Sequence, residues 1–372
     1  MQLVIERGEL LKALSHVTSV VERRTTIPIL SNVLVVAGNN GLELKATDLE
    51  REVIETATAD VSQQGAITVP AHMIHDIARK LPDGAQVSLA REPDRERVSV
   101  TSGSSRFALP ALPADDFPDL AAGEMTHEFS IAAHDLKRLI EKTRFAISTE
   151  ETRYYLNGIY LHTVATEAGA MLRAVATDGH RLAQVELTQP DGAAEMPGVI
   201  IPRKTVQELH RLLDDGAAEV RVGVSEMKVR FEIGGVTLTS KLIDGTFPDY
   251  ARVIPEGNDK ELRVSNAEFI SAVDRVSTIA SERGRAVKLS LSSGKLILSV
   301  NNPEGGSATE ELEADYGADA LEIGFNAKYL LDIAGQLESD TASFKLADAS
   351  APTMVADGED DHALYVLMPM RV

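Results

Sequence analysis

Residues 9–24 read ELLKALSHVTSVVERR, and their apolar side chains recur with the period of an α-helix. The apolar positions form one helical face: Leu10, Ala13, Leu14, Val17, Val20 and Val21. The same slots recur 126 residues later as Leu136, Leu139, Ile140, Thr143, Ala146 and Ile147. A further shift of 133 gives Phe269, Ala272, Val273, Val276, Ile279 and Ala280. The spacing therefore predicts three related helices, each preceded by a short alternating strand.

A second helix recurs in the same order along the chain. Its slots hold Ile74, Ile77, Ala78 and Leu81, then Val206, Leu209, His210 and Leu213, then Leu330, Ile333, Ala334 and Leu337. Any α+β chain can match one pattern by chance, but two helices and the strand between them agree here. The period of about 125–130 residues exceeds that of a solenoid unit, which is roughly 20–50 residues. We therefore expect three tandem domains, at residues 1–124, 125–255 and 256–372. They should be α+β, with the helices gathered on one side of a β layer.

The composition excludes several classes of protein. Of 372 residues, 25% are charged and 44% hydrophobic, which argues against a disordered or fibrous chain. There is no Cys, so disulfides and thiolate metal sites are excluded. No apolar run approaches 18 residues, and the N-terminus lacks the basic and apolar regions of a signal peptide. The His residues show no ligand spacing. We expect a cytoplasmic protein with no membrane span, metal or cofactor.

The net charge of −20 taken alone argues against nucleic acid as a partner. The charge is unevenly distributed, however. Six predicted helical segments carry 16 basic and 13 acidic side chains: residues 9–24, 71–81, 134–148, 202–215, 266–285 and 326–339. If these helices share one surface, that surface can attract phosphates while the rest of the molecule repels them. Alternatively, Lys and Arg simply collect at helix termini to balance the macrodipole.

Five short motifs lie in order on this repeat. They are residues 24–32 (RTTIPILSN), 153–158 (RYYLNG), 176–182 (ATDGHRL), 247–250 (FPDY) and 366–371 (VLMPMR). Together they resemble the β sliding clamp of bacterial DNA polymerase III over the whole chain. The resemblance implies the DNA clamp fold: a head-to-tail homodimeric ring with helices lining the interior and antiparallel sheets outside. Such a ring is a non-catalytic processivity factor.

The resemblance also implies a set of partners. They are double-stranded DNA in the hole of the ring, the replicative polymerase subunit, the clamp loader, and other polymerases and repair proteins that bind through short peptide motifs. A weakly cationic lining suits this role, because a sequence-specific DNA binder has dense basic patches and a pI above about 9. Few strong phosphate contacts would let the ring slide.

A pocket for partner peptides is implied between the second and third domains. Carried across, it comprises Leu156, Thr177, Gly179, His180, Arg181, Leu182, Pro248, Arg252, Val253, Val366, Met368, Pro369, Met370 and Arg371. The residues themselves support part of this set, since flexible Met side chains suit a surface that accepts several partners. Pro369 cannot donate to a β ladder and should lie at a strand end or edge. The alternative is an ordinary buried C-terminal strand.

Two other functions remain open at this stage. Asp178 and His180 could form an acid–base pair, although Thr177-Asp178-Gly179 reads more simply as a turn and no Gly-x-Ser-x-Gly motif is present. The first domain has Thr47 and Asp48 at this slot but neither Gly nor His, which favours a local role for Gly179 and His180. The other alternative is a ring or scaffold that docks peptide-bearing proteins without DNA.

For DNA contact, the resemblance points to Arg24, Tyr154, Tyr155, Arg203 and Lys204. Arg203 and Lys204 open a predicted helix, where positive charge is unfavourable, so they should serve an anionic partner. Tyr can stack on bases or hydrogen-bond to phosphates, although the pair could instead pack at a domain join. The neighbouring carboxylates of residues 150–151 would weaken contact with DNA.

For the joint of the ring, the resemblance implies Phe107 and Leu109 of the first domain against Thr278 and Ile279 of the third. Phe107 lies on an apparent edge strand. An open edge is a liability that pairing with another subunit would remove. Alternatively, Phe107 belongs to the core of its own domain.

Overall fold

The computed structural model describes residues 1–92, 96–120, 123–214, 216, 218–281, 285–358 and 360–371. In this part of the chain six α-helices form, two in each repeat. They are α1 (Arg7–Val17), α2 (Ala71–Lys80), α3 (Ala133–Arg144), α4 (Arg203–Leu213), α5 (Asn266–Ser277) and α6 (Ala327–Ala334). No helix of the described residues is long and apolar enough to span a membrane.

The strands follow the same threefold order. The first repeat holds β1 (Gln2–Glu6), β2 (Asn32–Gly38), β3 (Gly41–Thr47), β4 (Arg51–Ala57), β5 (Asp60–Gln63), β6 (Gly65–Pro70), β7 (Gln86–Arg91), β8 (Arg97–Ser102) and β9 (Ser105–Pro110). The second holds β10 (His127–Ala132), β11 (Gly158–Thr166), β12 (Gly169–Thr177), β13 (Arg181–Thr188), β14 (Val199–Pro202), β15 (Glu219–Val224), β16 (Lys228–Ile233) and β17 (Val236–Lys241). The third holds β18 (Lys260–Ser265), β19 (Ala286–Ser292), β20 (Lys295–Asn302), β21 (Gly306–Glu313), β22 (Asp315–Tyr316), β23 (Leu321–Asn326), β24 (Thr341–Leu346), β25 (Thr353–Asp357) and β26 (Asp360–Leu367).

The chain forms two compact units, and their boundary passes through the predicted central domain. The first unit comprises Met1–Leu136, Pro190–Pro197 and Lys204–Leu242. It contains a five-stranded sheet, β5-β1-β7-β8-β9, and an eight-stranded sheet, β10-β15-β16-β17-β4-β3-β2-β6. In the larger sheet β4 of the first repeat pairs with β17 of the second, so the two repeats share one antiparallel sheet.

The second unit comprises Lys137–Gln189, Gly198–Arg203 and the residues from Ile243 onward. Its nine-stranded sheet has the order β14-β11-β12-β13-β26-β25-β24-β18-β22, and its four-stranded sheet the order β21-β20-β19-β23. Here β13 of the second repeat pairs with β26 of the third. The same kind of junction therefore joins consecutive repeats twice.

The predicted helices begin within two residues of their observed starts, but the predicted ends were wrong by up to eight residues. The apolar stripe continues beyond each helix in a tighter turn. A 3-10 helix at Thr18–Val20 follows α1, and the amides of Ala146 and Ile147 bond to carbonyls three residues back after α3. Such bonds satisfy the last carbonyls of a helix, so the stripe remains buried after the α-helix has ended. Within their observed bounds the six helices carry 13 basic and 8 acidic residues.

Candidate partner pocket, nucleic-acid contacts and subunit edges

A continuous apolar cluster lies where the second and third repeats share a sheet. Its buried members are Leu156, Val175, Leu182, Ile200, Phe247 and Val366. Leu182 on β13 and Val366 on β26 are directly opposite each other across the strand pair. The cluster thus unites three of the predicted pocket residues: Leu156, Leu182 and Val366. Burial of this apolar surface stabilises the sheet junction. We call this cluster the floor.

The turn between β12 and β13 is held by its own side chains. The Thr177 hydroxyl donates to the Arg181 carbonyl (2.7 Å) and accepts from the Gly179 amide (3.1 Å). One Asp178 carboxylate oxygen accepts from the amides of His180 (2.9 Å) and Arg181 (3.0 Å). Gly179 has φ +87°, and a Cβ there would lie 2.6 Å from the Arg153 guanidinium. The turn presents Gly179 and His180 to solvent.

The first repeat builds the same turn from Thr47 and Asp48. The Thr47 hydroxyl donates to the Arg51 carbonyl (2.7 Å), and Asp48 accepts from the Arg51 amide (2.7 Å). Leu49 occupies the slot of Gly179 with φ +74°. Positive φ alone therefore does not demand glycine at this slot. In the second repeat a Cβ would also displace the end of the flexible Arg153 side chain.

The floor beneath this turn differs between the two repeats. Glu52 and Thr239 form a directly opposed pair in the first junction, where Leu182 and Val366 stand in the second. Glu52 is buried and pairs with Lys45 at 3.3 Å. At this position the first junction therefore has a polar pair, whereas the second has an apolar pair.

Arg181 is buried, and its guanidinium is fully engaged within the molecule. It bonds to the carboxylates of Asp178 (3.1 Å) and Asp332 (2.5 Å) and to the Phe145 carbonyl (2.6 Å). Its charge also lies 4.3 Å from the ring centroid of Tyr329. Burial raises the pKa of Tyr329, so that ring stays neutral. Arg181 thus ties the turn to Phe145 and Asp332, and its side chain is only 7% exposed.

The C-terminal segment runs past the turn. The Met368 amide donates to the His180 carbonyl (2.9 Å), and the Met370 amide donates to the Gly324 carbonyl (2.7 Å). Pro369 lies between these two bonds, just after β26 ends, where no donor is needed. Val366 is buried, as an ordinary core strand requires, whereas Met368, Pro369 and Met370 are partly exposed. Arg371 is exposed and, with Met370, lines a separate cavity beside β23.

The opposite rim of the floor is formed by the segment after Phe247. Pro248, Arg252 and Val253 are exposed there. The side chain of Arg252 is 84% exposed and pairs only with Asp249 (2.7 Å) among the described contacts. Arg252 is therefore a cation available to a partner, unlike Arg181.

Asp178 and His180 do not form an acid–base pair. Both oxygens of the Asp178 carboxylate are occupied by the turn and by Arg181. The His180 ring stacks on Tyr329 with centroids 6.2 Å apart. Among the described residues, no group of three or more His, Asp or Glu side chains could hold a metal ion.

The predicted DNA-contact cations are exposed at element ends. Arg203 and Lys204 open α4, and Arg24 lies in the loop after α1. The Lys204 ammonium pairs with Glu22 at 3.0 Å, which brings the start of α4 to that loop. The Arg203 amide donates to the Asn157 carbonyl (2.9 Å), which ties the start of α4 to the Tyr154 loop.

Tyr154 and Tyr155 end a 3-10 helix at Glu151–Leu156. Tyr154 is 53% exposed and meets Tyr155 edge to face, with centroids 5.7 Å apart. Glu150 is salt-bridged to Arg153 at 2.6 Å, and this carboxylate raises the pKa of Arg153. One of the two negative charges near the tyrosines is thus offset within the loop.

Three of the four predicted interface residues, Phe107, Thr278 and Ile279, are exposed or half-buried, whereas Leu109 is buried. β9 is an edge strand, and Phe107 is 37% exposed on it. Leu109 is buried in the core of its own repeat, so it offers a partner only its backbone. Thr278 is exposed and Ile279 half-buried, whereas Val20, which is the counterpart of Ile279 in the first repeat, is buried.

Sequence reasoning missed the other half of the floor. Val175, Ile200 and Phe247 belong to the cluster but were not predicted as pocket residues. Val175 lies in an alternating strand that was recognised, yet alternation does not reveal which strands of distant segments will be neighbours.

Comparison with known proteins gives full-length matches. Models of the DNA polymerase III beta subunit match in tandem: the N-terminal domain over residues 1–121, the central domain over 130–249 and the C-terminal domain over 251–371. A beta sliding clamp from Caulobacter vibrioides is 54% identical over 372 residues, with all of both chains covered. One from Pseudomonas aeruginosa is 41% identical over 373 residues, again with all of both covered. A solved sliding clamp from Bartonella birtlesii bound to griselimycin has a TM-score of 0.97 at 54% identity, with both chains fully covered.

Proposed function

Since this chain belongs to the family of DNA polymerase III beta subunits, the sliding clamps, we propose how its own residues perform that role. The observation that carries this function is the tandem match of all three domain models, which together span residues 1–371. The protein is a sliding clamp, a non-catalytic processivity subunit in DNA replication. DNA and the DNA polymerase III holoenzyme are its partners. Our proposals concern the residues that join the ring, meet DNA and hold partner peptides.

We propose that the homodimer closes through β9 of one protomer and β21 of the other. Each junction within the chain pairs the second strand of one hairpin with the second strand of another: β4 with β17, and β13 with β26. By position, β9 is the counterpart of β17 and β26, and β21 is the counterpart of β4 and β13. Both lie at sheet edges among the described strands. Two such junctions would close six domains head to tail.

The burial pattern supports this joint. By hairpin position, Phe107 corresponds to Leu238 and Tyr365, which are both fully buried at their junctions, whereas Phe107 is 37% exposed. Leu238 faces Val53 and Tyr365 faces Ala183 across their strand pairs. The same register would place Phe107 opposite Ala308 of the partner subunit. The exposure of Phe107 is thus what an unformed third junction would leave.

We assign duplex DNA to the helix side of this ring. The helices carry more basic than acidic side chains in a chain of net charge −20, so DNA is favoured at the helices and repelled elsewhere. Arg24, Arg203 and Lys204 are the exposed cations proposed to meet phosphates, and Tyr154 can stack on an unpaired base. Few such contacts leave the clamp free to slide.

We assign the apolar floor to partner peptides. Leu156, Leu182 and Val366 would receive apolar anchor side chains, while Met368 and Val253 would adapt around them. The clamp loader, the replicative polymerase subunit and repair proteins are the proposed users of this site, and the compartment is the cytoplasm. Flexible Met side chains beside the floor can adapt to the peptides of several different partners.

Deletion of residues 368–372 tests the pocket. We expect binding of the polymerase subunit and of griselimycin to be lost while the protein remains a dimer, because Val366 and Leu367 stay in β26. The control is Arg221→Ala, which removes an exposed cation on β15 and leaves the C-terminal segment unchanged. Titration measures binding, and light scattering measures whether the protein is a dimer. Retained binding, or a monomeric product, would contradict the pocket assignment.

A further inference from the structure

The segment Phe247-Pro248-Asp249-Tyr250 is held on the sheet by aromatic packing. Phe247 is buried and stacks nearly parallel to Tyr160 on β11, with centroids 4.9 Å apart and planes 8° apart. Tyr250 then begins a 3-10 helix, Tyr250–Val253, which presents Arg252 and Val253 to solvent. We call Tyr250–Val253 the rim helix. Its position over the floor is therefore set at Phe247 and at Tyr250.

The Tyr250 hydroxyl is the polar anchor of the rim helix. Arg173 Nη1 lies 3.1 Å from it, and His162 Nε2 lies 3.0 Å from it. His162 Nδ1 lies 3.1 Å from the Thr163 carbonyl oxygen. A carbonyl only accepts and a guanidinium only donates, which fixes every proton when the imidazole is neutral. Arg173 donates to Tyr250, Tyr250 donates to His162, and His162 donates to Thr163.

The supports of this chain of hydrogen bonds are themselves fixed. Arg173 on β12 bonds to Glu186 on β13 at 2.7 Å, directly across the strand pair, and both side chains are largely buried. The His162 ring stacks on Tyr160 with centroids 4.5 Å apart. The Tyr250 hydroxyl therefore connects the rim helix directly to β11 and β12, and through Arg173 to β13.

We propose that Tyr250 is a positioning residue of the partner pocket, whose hydroxyl holds the rim helix at the width over Leu182 and Val366 that a bound peptide requires. This inference rests on the proposed function of the floor. Tyr250 itself need not touch the peptide, because it acts through Arg252 and Val253. A peptide that contacts Arg252 and Val253 would bind more weakly without the hydrogen bonds of the Tyr250 hydroxyl, because the rim helix must then be ordered on binding.

Protonation of His162 changes Nε2 from an acceptor to a donor in this series of hydrogen bonds. Nε2 would then donate, the Tyr250 oxygen would face two donors, and the hydroxyl proton would lose its acceptor. Burial lowers the pKa of His162, and the Arg173 charge acts in the same direction, while the Thr163 carbonyl and Glu186 oppose them. The remaining groups that face it, Tyr160 and Tyr250, are phenols. The neutral form of His162 is favoured in the folded protein. The hydrogen bond from Tyr250 to His162 is therefore fully formed above the ordinary His pKa of 6.5 and is lost as pH falls through the lowered pKa.

Tyr250→Phe tests the proposal, with griselimycin as the probe and the full chain as the protein. We expect binding about five-fold weaker at pH 7.5, the effect of one lost hydrogen bond of about 1 kcal/mol. Wild type should keep its affinity from pH 7.5 to 6.5 and lose affinity as pH falls further, through the lowered pKa of His162, whereas Tyr250→Phe should show a flat profile. Arg173→Met should also weaken binding and should still show a pH dependence, because His162 and Tyr250 remain paired. The loss of affinity should begin at higher pH than in wild type, because the Arg173 charge no longer lowers the pKa of His162.

The matched control is Tyr365→Phe. The Tyr365 hydroxyl is buried and has no hydrogen-bond partner in the described structure, so its loss should leave affinity and pH profile as in wild type. Wild-type affinity and an unchanged pH profile in Tyr250→Phe would overturn the inference while leaving the pocket assignment intact. Failure of wild type itself to bind griselimycin would overturn the pocket assignment and this inference with it.

Discussion

Arg181 shows how a side chain at the edge of the proposed pocket can stabilise the fold. Its guanidinium joins a turn of the second repeat to Asp332 on α6 of the third. The sequence motif around it correctly indicated the turn, since Thr and Asp side chains favour such turns. It could not indicate that Phe145 and Asp332 would occupy the guanidinium, because those residues are 36 and 151 positions away.

Arg181→Met should destabilise the protein by about 3 kcal/mol, because it leaves a largely buried carboxylate and a carbonyl without their donor. Urea unfolding followed by circular dichroism measures this free energy. The control Arg252→Met removes an exposed cation and should change stability by less than about 1 kcal/mol, while weakening peptide binding. Equal stability of Arg181→Met and wild type would show that Arg181 is not a structural tie.

The helices and strands are the scale at which the sequence was most informative. Periodicity located both helices of every repeat because each buries one apolar face against a sheet. It did not locate their ends: the stripe of α5 continues to Ala280, yet the α-helix ends at Ser277. Nor did it reveal that β4 and β13 would pair with strands of the following repeat, since strand pairing depends on contacts between distant segments.

Charge reversal at the start of α4 tests the proposed contact with DNA. Arg203→Glu combined with Lys204→Glu should lower retention on DNA about tenfold at physiological salt, because two phosphate contacts become repulsive. Thermal melting should change little, since both side chains are exposed. The control Arg221→Glu with Lys345→Glu makes the same change of charge at exposed positions on β15 and β24 and should leave retention unchanged. Equal loss of DNA retention in both double variants would mean that net charge, and not the position of Arg203 and Lys204, controls retention.

Closure of the ring requires a junction that one chain cannot complete. Phe107→Asp should raise the dimer dissociation constant about a hundredfold or more, because it places a charge where the counterparts Leu238 and Tyr365 are fully buried. Phe107→Leu should remain dimeric, since the equivalent junction already uses Leu238. Sedimentation velocity at low concentration separates the two. A fully dimeric Phe107→Asp would remove β9 from the joint.

A comparison of retention on circular and on linear DNA distinguishes encirclement of DNA from direct binding. The wild-type protein is loaded on a nicked plasmid, free protein is removed by gel filtration, and half of the sample is cut once with a restriction enzyme. We predict that the protein stays on the circle and leaves the cut molecule, while Phe107→Asp stays on neither. Equal retention on both forms would mean direct binding rather than encirclement, and absence from both would favour a scaffold that needs no DNA.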